Sequence, residues 1–249
     1  MPDFTLLNDL LGDFQTATDS YVERTITSSN QLFADFIAKQ KVVHTINKKQ
    51  SSDFNVFRLF QINEPRHSFI LASFLDPKGE HGQGNLFLKA LLIQLGIEEP
   101  GEGNWTVTAE AGRVDILLKR TSPINLHSVI IIENKSNNAP DQKNQLYRYW
   151  YHEIYKPQQH LNPKGQLPYA REQYQIIYLV ANEWKKVSDN SLQRPNEELY
   201  NELPEVVPLS PVTWKFQEQI SEVFTSCLDA LKDNQRLRES IIQYIDYWR

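Results

Sequence analysis

Three ionisable side chains, Asp115, Glu133 and Lys135, stand within or at the end of otherwise apolar runs, GRVDILL and IIIENK, whose composition suits buried strands. Burying charge without a partner is expensive, so residues in such places need a reason. A hairpin turning around Pro123 and Ile124 sets Asp115 opposite Glu133. Side chains alternate faces along a strand, so Lys135, two residues on, shares the face of Glu133, and two carboxylates and an ammonium converge. Two carboxylates about 5 Å apart repel unless a cation lies between them, and hard oxygen ligands with open positions suit magnesium or manganese. An ammonium beside that cation can orient or deprotonate a water. Together these groups are the equipment for metal-assisted hydrolysis of a phosphodiester. The competing reading is a structural network of buried ion pairs.

The elements that must position these groups are also visible. Residues 105–109, 113–119 and 129–133 are short β-rich runs that read as an antiparallel meander, and VIII (129–132) has the character of a central strand covered on both faces. Asp141 can cap a helix running to about Tyr155, and YQIIYLV (174–180) is a further buried strand, so a parallel crossover is expected. Residues 206–209 suggest an edge strand, with closing helices over 214–231 and 237–248. Upstream, Glu64-Pro65 opens an apolar helix ending at Asp76-Pro77. A Gly-rich loop (Gly79, Gly82, Gly84) then leads to a helix over 85–95 that stops at Gly96. No Lys-Ser/Thr pair follows those glycines, so they form no phosphate-cradling loop. Residues 3–50 carry apolar positions at helical spacing and read as two amphipathic helices, with 48–53 a loop. The expected organisation is a helical extension over residues 1–60 and an α/β domain over residues 61–249.

The ordered set of residues resembles the PD-(D/E)XK nuclease superfamily. Glu133-Asn134-Lys135 matches the E-x-K element, Gly112-Arg113-Val114-Asp115 the G-x-x-D element of its RecB-like branch, and Gln145 to Tyr149 the Q-x-x-x-Y element on the following helix. The likeness spans about residues 61–215, and Val114 stands where other members have proline. It implies a restriction-endonuclease-like αβα sandwich with a central mixed sheet of four to five strands flanked by helices. It implies a metal shell of Asp115, Glu133, the Asn134 backbone carbonyl and Glu64, with Mg2+ or Mn2+ as cofactor and Lys135 orienting the water. Gln145 and Tyr149, four apart on one helical face, would position the substrate backbone or the lysine. His67 would stand in for the branch's histidine, and His81 is a further candidate for the shell. The four-cysteine cluster of some relatives is missing. The implied activity is cleavage of DNA to products carrying 5'-phosphate, in phage defence or DNA repair. The alternatives are an RNA-directed nuclease and a catalytically silent nucleic-acid- or protein-binding module.

Composition narrows the classes further. The chain has 249 residues, is 40% hydrophobic and carries a net charge of -5, so binding a polyanion by bulk charge is disfavoured and a local patch is required. Arg113 and Arg148, with Arg66, Lys89 and Lys143, are candidates for that phosphate path, while Tyr147, Tyr149, Trp150, Tyr151 and Tyr155 either stack on bases or pack in the core. One cysteine, Cys227, excludes an internal disulfide and a cysteine-built metal site. No apolar run reaches the roughly 18 residues of a membrane span, and no basic region precedes the first apolar residues, so a cytoplasmic protein is expected. Residues 1–60 are a candidate surface for a homodimer or a protein partner.

Overall fold

A computed structural model of the chain describes residues 5–51, 54–97, 104–111, 113–121, 128–161 and 173–249. It divides into two units, Met1–Phe54 and Asn55–Arg249.

Among its described residues the first unit contains a single helix, α1 (Thr5–Gln50), of 46 residues. Two helices and a loop from residue 48 were expected there. No proline interrupts the segment and its apolar and polar positions keep helical spacing throughout, so nothing ends the helix before Gln50. Phe4 lies outside the described residues.

The second unit begins earlier than residue 61, because the short helix α2 (Val56–Leu59) packs with its far end. Asn55 caps α2, accepting a hydrogen bond from the Phe57 N–H, and donates through Nδ2 to the Gln243 carbonyl at 2.7 Å. Helix α3 (Glu64–Leu75) starts at Asn63, whose side chain accepts from the Arg66 N–H, with Pro65 in the first turn where a missing donor costs nothing. Helix α4 is Leu86–Gln94, closed by Gly96 at φ 76°, in the left-handed region that glycine enters freely.

The sheet has five strands in spatial order β1 (Asn104–Ala111), β2 (Val114–Thr121), β3 (Ser128–Lys135), β4 (Tyr174–Val180) and β5 (Val212–Lys215). The first three are antiparallel neighbours; β4 joins β3 in parallel and β5 joins β4 in parallel. All eight residues of β3 and all seven of β4 are buried, as continuous apolar runs between two helical layers should be. Ile116 pairs with Ile132, the register that sets Asp115 level with Glu133; the hairpin turn at Pro123 and Ile124 lies outside the described residues. The edge strand expected at 206–209 is displaced to β5. Val206 makes only an isolated antiparallel bridge to Gln193, and β5 takes up Trp214, which was expected in a helix.

Between β3 and β4 the chain forms helix α5 (Gln145–Tyr149), a π-helical stretch over Trp150–Tyr155 and helix α6 (Lys156–Leu161). Asp141 does not cap this helix: its carboxylate accepts from the Ser188 N–H and the Tyr178 hydroxyl, and the helix begins four residues later, after Asn144 at φ 58°. Helix α7 (Asp189–Leu192) and a 3-10 turn (Glu198–Tyr200) precede β5. After β5 come a π-helical turn (Phe216–Ile220), α8 (Ser221–Cys227) and α9 (Gln235–Tyr247). One sheet face packs Ile116, Ile130, Ile132 and Ile177 against α3, α4, α8 and α9. The other packs Leu117, Ile131, Tyr178 and Val180 against Leu146, Tyr147 and Trp150 of the crossover. None of the described helices is long and apolar enough to cross a membrane.

Candidate active site

The alternation of β3 distributes its last three residues to the two layers. Asn134 faces α3: its Nδ2 donates to the Glu64 carbonyl at 2.9 Å and to Ser68 Oγ at 3.0 Å, and its Oδ1 accepts from the Ser136 N–H. Glu133 and Lys135 face the crossover helix, where Lys135 Nζ lies 2.6 Å from Glu133 Oε1 and 3.7 Å from Asp141 Oδ1. Asp115, from the neighbouring strand, accepts the Asn134 N–H at 2.6 Å through Oδ2.

Glu133 is 1% exposed and Lys135 4%. Burial pushes the Asp115 carboxyl up to about 8, helped by the charge of Glu133 and, less, of Glu110, against the pull of the Asn134 N–H and Lys135. Burial also raises Glu133, with Lys135 opposing. For Lys135 burial acts downward, but Glu133, Asp141 and Asp115 together outweigh it and hold the ammonium charged. Two carboxyls thus crowd one site. Among protein donors to Glu133 Oε2 there is no hydrogen bond, although the atom is buried.

Beside these groups lies a cleft of about 1050 Å³. Glu110, Arg113, Asp115, Lys119, Gln142, Gln145, Arg148, Tyr149, His152, Glu153 and Lys156 line it, with Lys119 Nζ 2.5 Å from Glu153 Oε2. Of the acidic pair and lysine only Asp115 reaches the cleft; Glu133 and Lys135 are buried beneath it.

Gln145 and Tyr149 are brought to the site, yet as a bracket for backbone. Gln145 Nε2 donates to the Tyr149 hydroxyl at 2.8 Å, and that hydroxyl donates to the Arg113 carbonyl. Ala111 pairs with Val114, so the hairpin connection between them is two residues long, with Arg113 at φ 78° and Gly112 outside the described residues. A non-glycine residue in that region is strained, and the tyrosine holds Arg113 in place. The Arg113 side chain is exposed on the rim and Arg148 is half-buried in the wall.

Glu64 stands apart from the acidic pair. Its Oε1 accepts the Asn137 N–H at 2.9 Å and the Ala139 N–H at 3.3 Å, anchoring the loop that follows β3. Among the described residues no group of three or more His, Cys, Asp or Glu side chains is gathered around one metal position. The fit to a hard divalent cation rests instead on two converging carboxylates with an unpartnered buried oxygen and on nearby main-chain oxygen, a donor set with room for water ligands.

His67 is not brought to the site. It is fully buried among Phe216, Tyr244, Tyr247 and Trp248, the last with its ring centroid 4.7 Å away. The sequence signal failed because a histidine one turn beyond an N-terminal glutamate faces inward when that helix packs on a sheet. Burial lowers its pKa to about 4. The unfolded chain therefore takes up this proton near pH 6.5 while the folded chain does not, so stability is full above about 6.5 and falls as the pH drops towards 4. Between pH 7 and pH 5, wild type should lose about 2 kcal/mol relative to His67→Phe in urea unfolding. Parallel pH profiles for the two proteins would refute a neutral His67. His81 accepts the Gln83 N–H through Nδ1 and places Nε2 2.9 Å from the Asp76 carbonyl, which ties it to its own loop.

Three neighbours of the site were missed. Asp141 was assigned to a cap, whereas it lies beside Lys135 and 3.8 Å from Lys185. Tyr178, which donates to Asp141, was read only as core. Glu110 follows from the hairpin register, which sets it level with Asp115 on β1, and it lines the same cleft.

A family model for the PD-(D/E)XK nuclease superfamily matches residues 54–246. The chain belongs to that superfamily. Its five-stranded mixed sheet between helical layers is the restriction-endonuclease-like fold, a nuclease-type scaffold. No curated protein and no solved structure matches the chain significantly. The matched span begins at residue 54, next to the start of the second unit, and leaves the whole of α1 outside.

Proposed function

We propose that this superfamily member hydrolyses phosphodiester bonds in DNA with Mg2+ or Mn2+ and leaves 5'-phosphate ends. The observation that carries the reading is the Asp115 and Glu133 pair, with Asp115 raised in pKa by burial and by the charge of Glu133, beside a cleft that also bears Arg113, Arg148, Lys156 and the Lys119–Glu153 ion pair. Asp115, Glu133 and the Asn134 main-chain carbonyl would hold the cation, with Glu64, engaged by the Asn137 and Ala139 N–H groups, joining through water. When bound, the cation supplies positive charge that polarises the phosphoryl oxygen and eases deprotonation of water.

The chain's own groups do the rest. Lys135, kept charged by three carboxylates, donates hydrogen bonds to the attacking water and balances the charge that develops on phosphorus. Arg113 and Arg148 bind backbone phosphates at the rim and wall, where guanidinium geometry suits two oxygens at once. Gln145 and Tyr149 act as positioning residues, fixing the turn that carries Arg113 and leads into Asp115. His152 also lines the cleft. Such cleavage serves defence against foreign DNA or DNA repair alike.

The test is incubation of supercoiled plasmid, linear duplex, single-stranded DNA and RNA with Mg2+, Mn2+ or EDTA, alongside Asp115→Ala. Metal-dependent cutting of DNA by wild type only is the expected result. Preferential cutting of RNA would replace the substrate. Survival of every substrate, together with no calorimetric difference in Mn2+ binding between wild type and Asp115→Ala, would overturn the reading in favour of a binding module.

A further inference from the structure

The long helix α1 has no reason in its sequence to be helical by itself. Gly12, nine Ser and Thr residues and several β-branched residues fall within it, and Thr16, Thr18, Thr25 and Thr45 each turn their hydroxyl back onto the carbonyl four residues earlier. Helices built this way persist by burying an apolar face. That face exists: Leu11, Phe14, Tyr21, Leu32, Phe36, Val43 and Ile46 fall within a sector of about 100° at helical spacing. All are 45 to 72% exposed.

Two patterns along α1 identify what covers the stripe. First, charge is segregated. Residues 5–24 hold Asp9, Asp13, Asp19 and Glu23 against Arg24 alone; residues 25–34 hold no charge; residues 35–50 hold Lys39, Lys41, Lys48 and Lys49 against Asp35 alone. A helix acidic at one end and basic at the other repels a parallel copy and attracts an antiparallel one, and the helix dipoles oppose in the same favourable sense. Second, the stripe is symmetric about its centre. A two-fold axis passing between Ser28 and Ser29 sets Leu11 level with Ile46, Phe14 with Val43, Tyr21 with Phe36 and Thr25 with Leu32, and it sets Asp9 level with Lys48. An isologous interface demands this self-complementarity, and small serines at the crossing point let two backbones approach.

We infer that α1 is a dimerisation arm that pairs antiparallel with α1 of a second copy of this chain, its occupant fixed by a palindromic apolar stripe and an acid-to-base charge gradient. The inference does not rest on the proposed nuclease activity, and its test does not use activity as a readout.

Sedimentation equilibrium of the full chain should give a dimer. Lys39→Glu/Lys41→Glu/Lys48→Glu, which makes both halves acidic, should raise the dimer dissociation constant at least about ten-fold, as should Asp9→Lys/Asp13→Lys/Asp19→Lys, which makes both halves basic. An equimolar mixture of the two variants should regain a dimer, which shows that neither has simply lost its fold. Orientation is read by oxidation of single-cysteine additions, since the native Cys227 is buried. Phe14→Cys mixed with Val43→Cys should cross-link between chains, whereas Phe14→Cys alone should not, because antiparallel pairing separates the two copies of residue 14 by about 45 Å. A monomer at all concentrations, or cross-linking of Phe14→Cys to itself, overturns the inference.

Discussion

Replacing Lys135 with methionine is expected to lower phosphodiester cleavage at least about 1000-fold and to destabilise the metal-free protein by about 3–5 kcal/mol. The two losses have one origin. Lys135 Nζ sits 2.6 Å from Glu133 Oε1 and 3.7 Å from Asp141 Oδ1, and those carboxylates are 1% and 3% exposed. Methionine fills much of the same space but leaves Glu133 without its cation and Asp141 with Lys185 alone, 3.8 Å away, and a buried charge stripped of its partner costs far more than the pair was worth. The double variant Lys135→Met/Glu133→Gln removes one of the stranded charges as well. It should regain most of the stability, measured by urea unfolding, while staying inactive. Recovered stability assigns the loss to the stranded charge, while cleavage stays absent because Glu133 is itself a proposed cation ligand; a double variant no more stable than Lys135→Met would overturn the stranded-charge account.

Asp115→Asn carries the second large effect, and here activity and stability move in opposite directions. The Asp115 carboxyl titrates at about 8 in the fold against about 4 in the unfolded chain, because burial and Glu133 disfavour its charge. A raised carboxyl contributes stability that is complete below about pH 4 and is lost as the pH climbs through about 8. Metal-free wild type should therefore be less stable than Asp115→Asn at pH 8, by an amount on the order of a few kcal/mol, and the gap should close towards pH 5. The His67 contribution runs the other way over the same interval and is common to both proteins, so it cancels in the comparison. Added Mn2+ should raise the melting temperature of wild type at pH 8 and leave Asp115→Asn unmoved, and only wild type should cut. An Asp115→Asn protein that is less stable than wild type at pH 8 would mean that the two carboxylates are not in conflict.

What could be read from the sequence was whatever depends on period and register. Alternation on β3 and the hairpin register brought Asp115, Glu133 and Lys135 together before any coordinates, because a strand pairing fixes side-chain faces without reference to the rest of the fold. Glu110 was available by the same reasoning from the tighter β1–β2 hairpin and was passed over, since a lone acid before a turn looks like solvated surface. Asp141 and Tyr178 were not available. Their meeting depends on a parallel crossover whose return strand sets Tyr178 level with Glu133, and no local pattern announces a contact between residues 37 apart in sequence. His67 failed for a related reason: its position on α3 was legible, the rotation of α3 against the sheet was not. The π-helical stretch over Trp150–Tyr155 was likewise hidden within an ordinary amphipathic pattern. The two helices expected over 3–50 are one from Thr5 to Gln50, because Ser and Thr within the segment lower helix propensity without ending the helix.

The topology of the sheet also fixes an order of assembly. The antiparallel neighbours β1, β2 and β3 are joined by short connections and can pair early, whereas β4 must return across the whole crossover before it lies beside β3. In the meander alone Asp115 and Glu133 already face each other, so the nascent sheet carries its repulsion before Asp141 and Tyr178 arrive to complete the surroundings of Lys135. Refolding should consequently be faster in mildly acidic than in alkaline solution, with the acidic pair acting as a brake that a proton, or a divalent cation, releases.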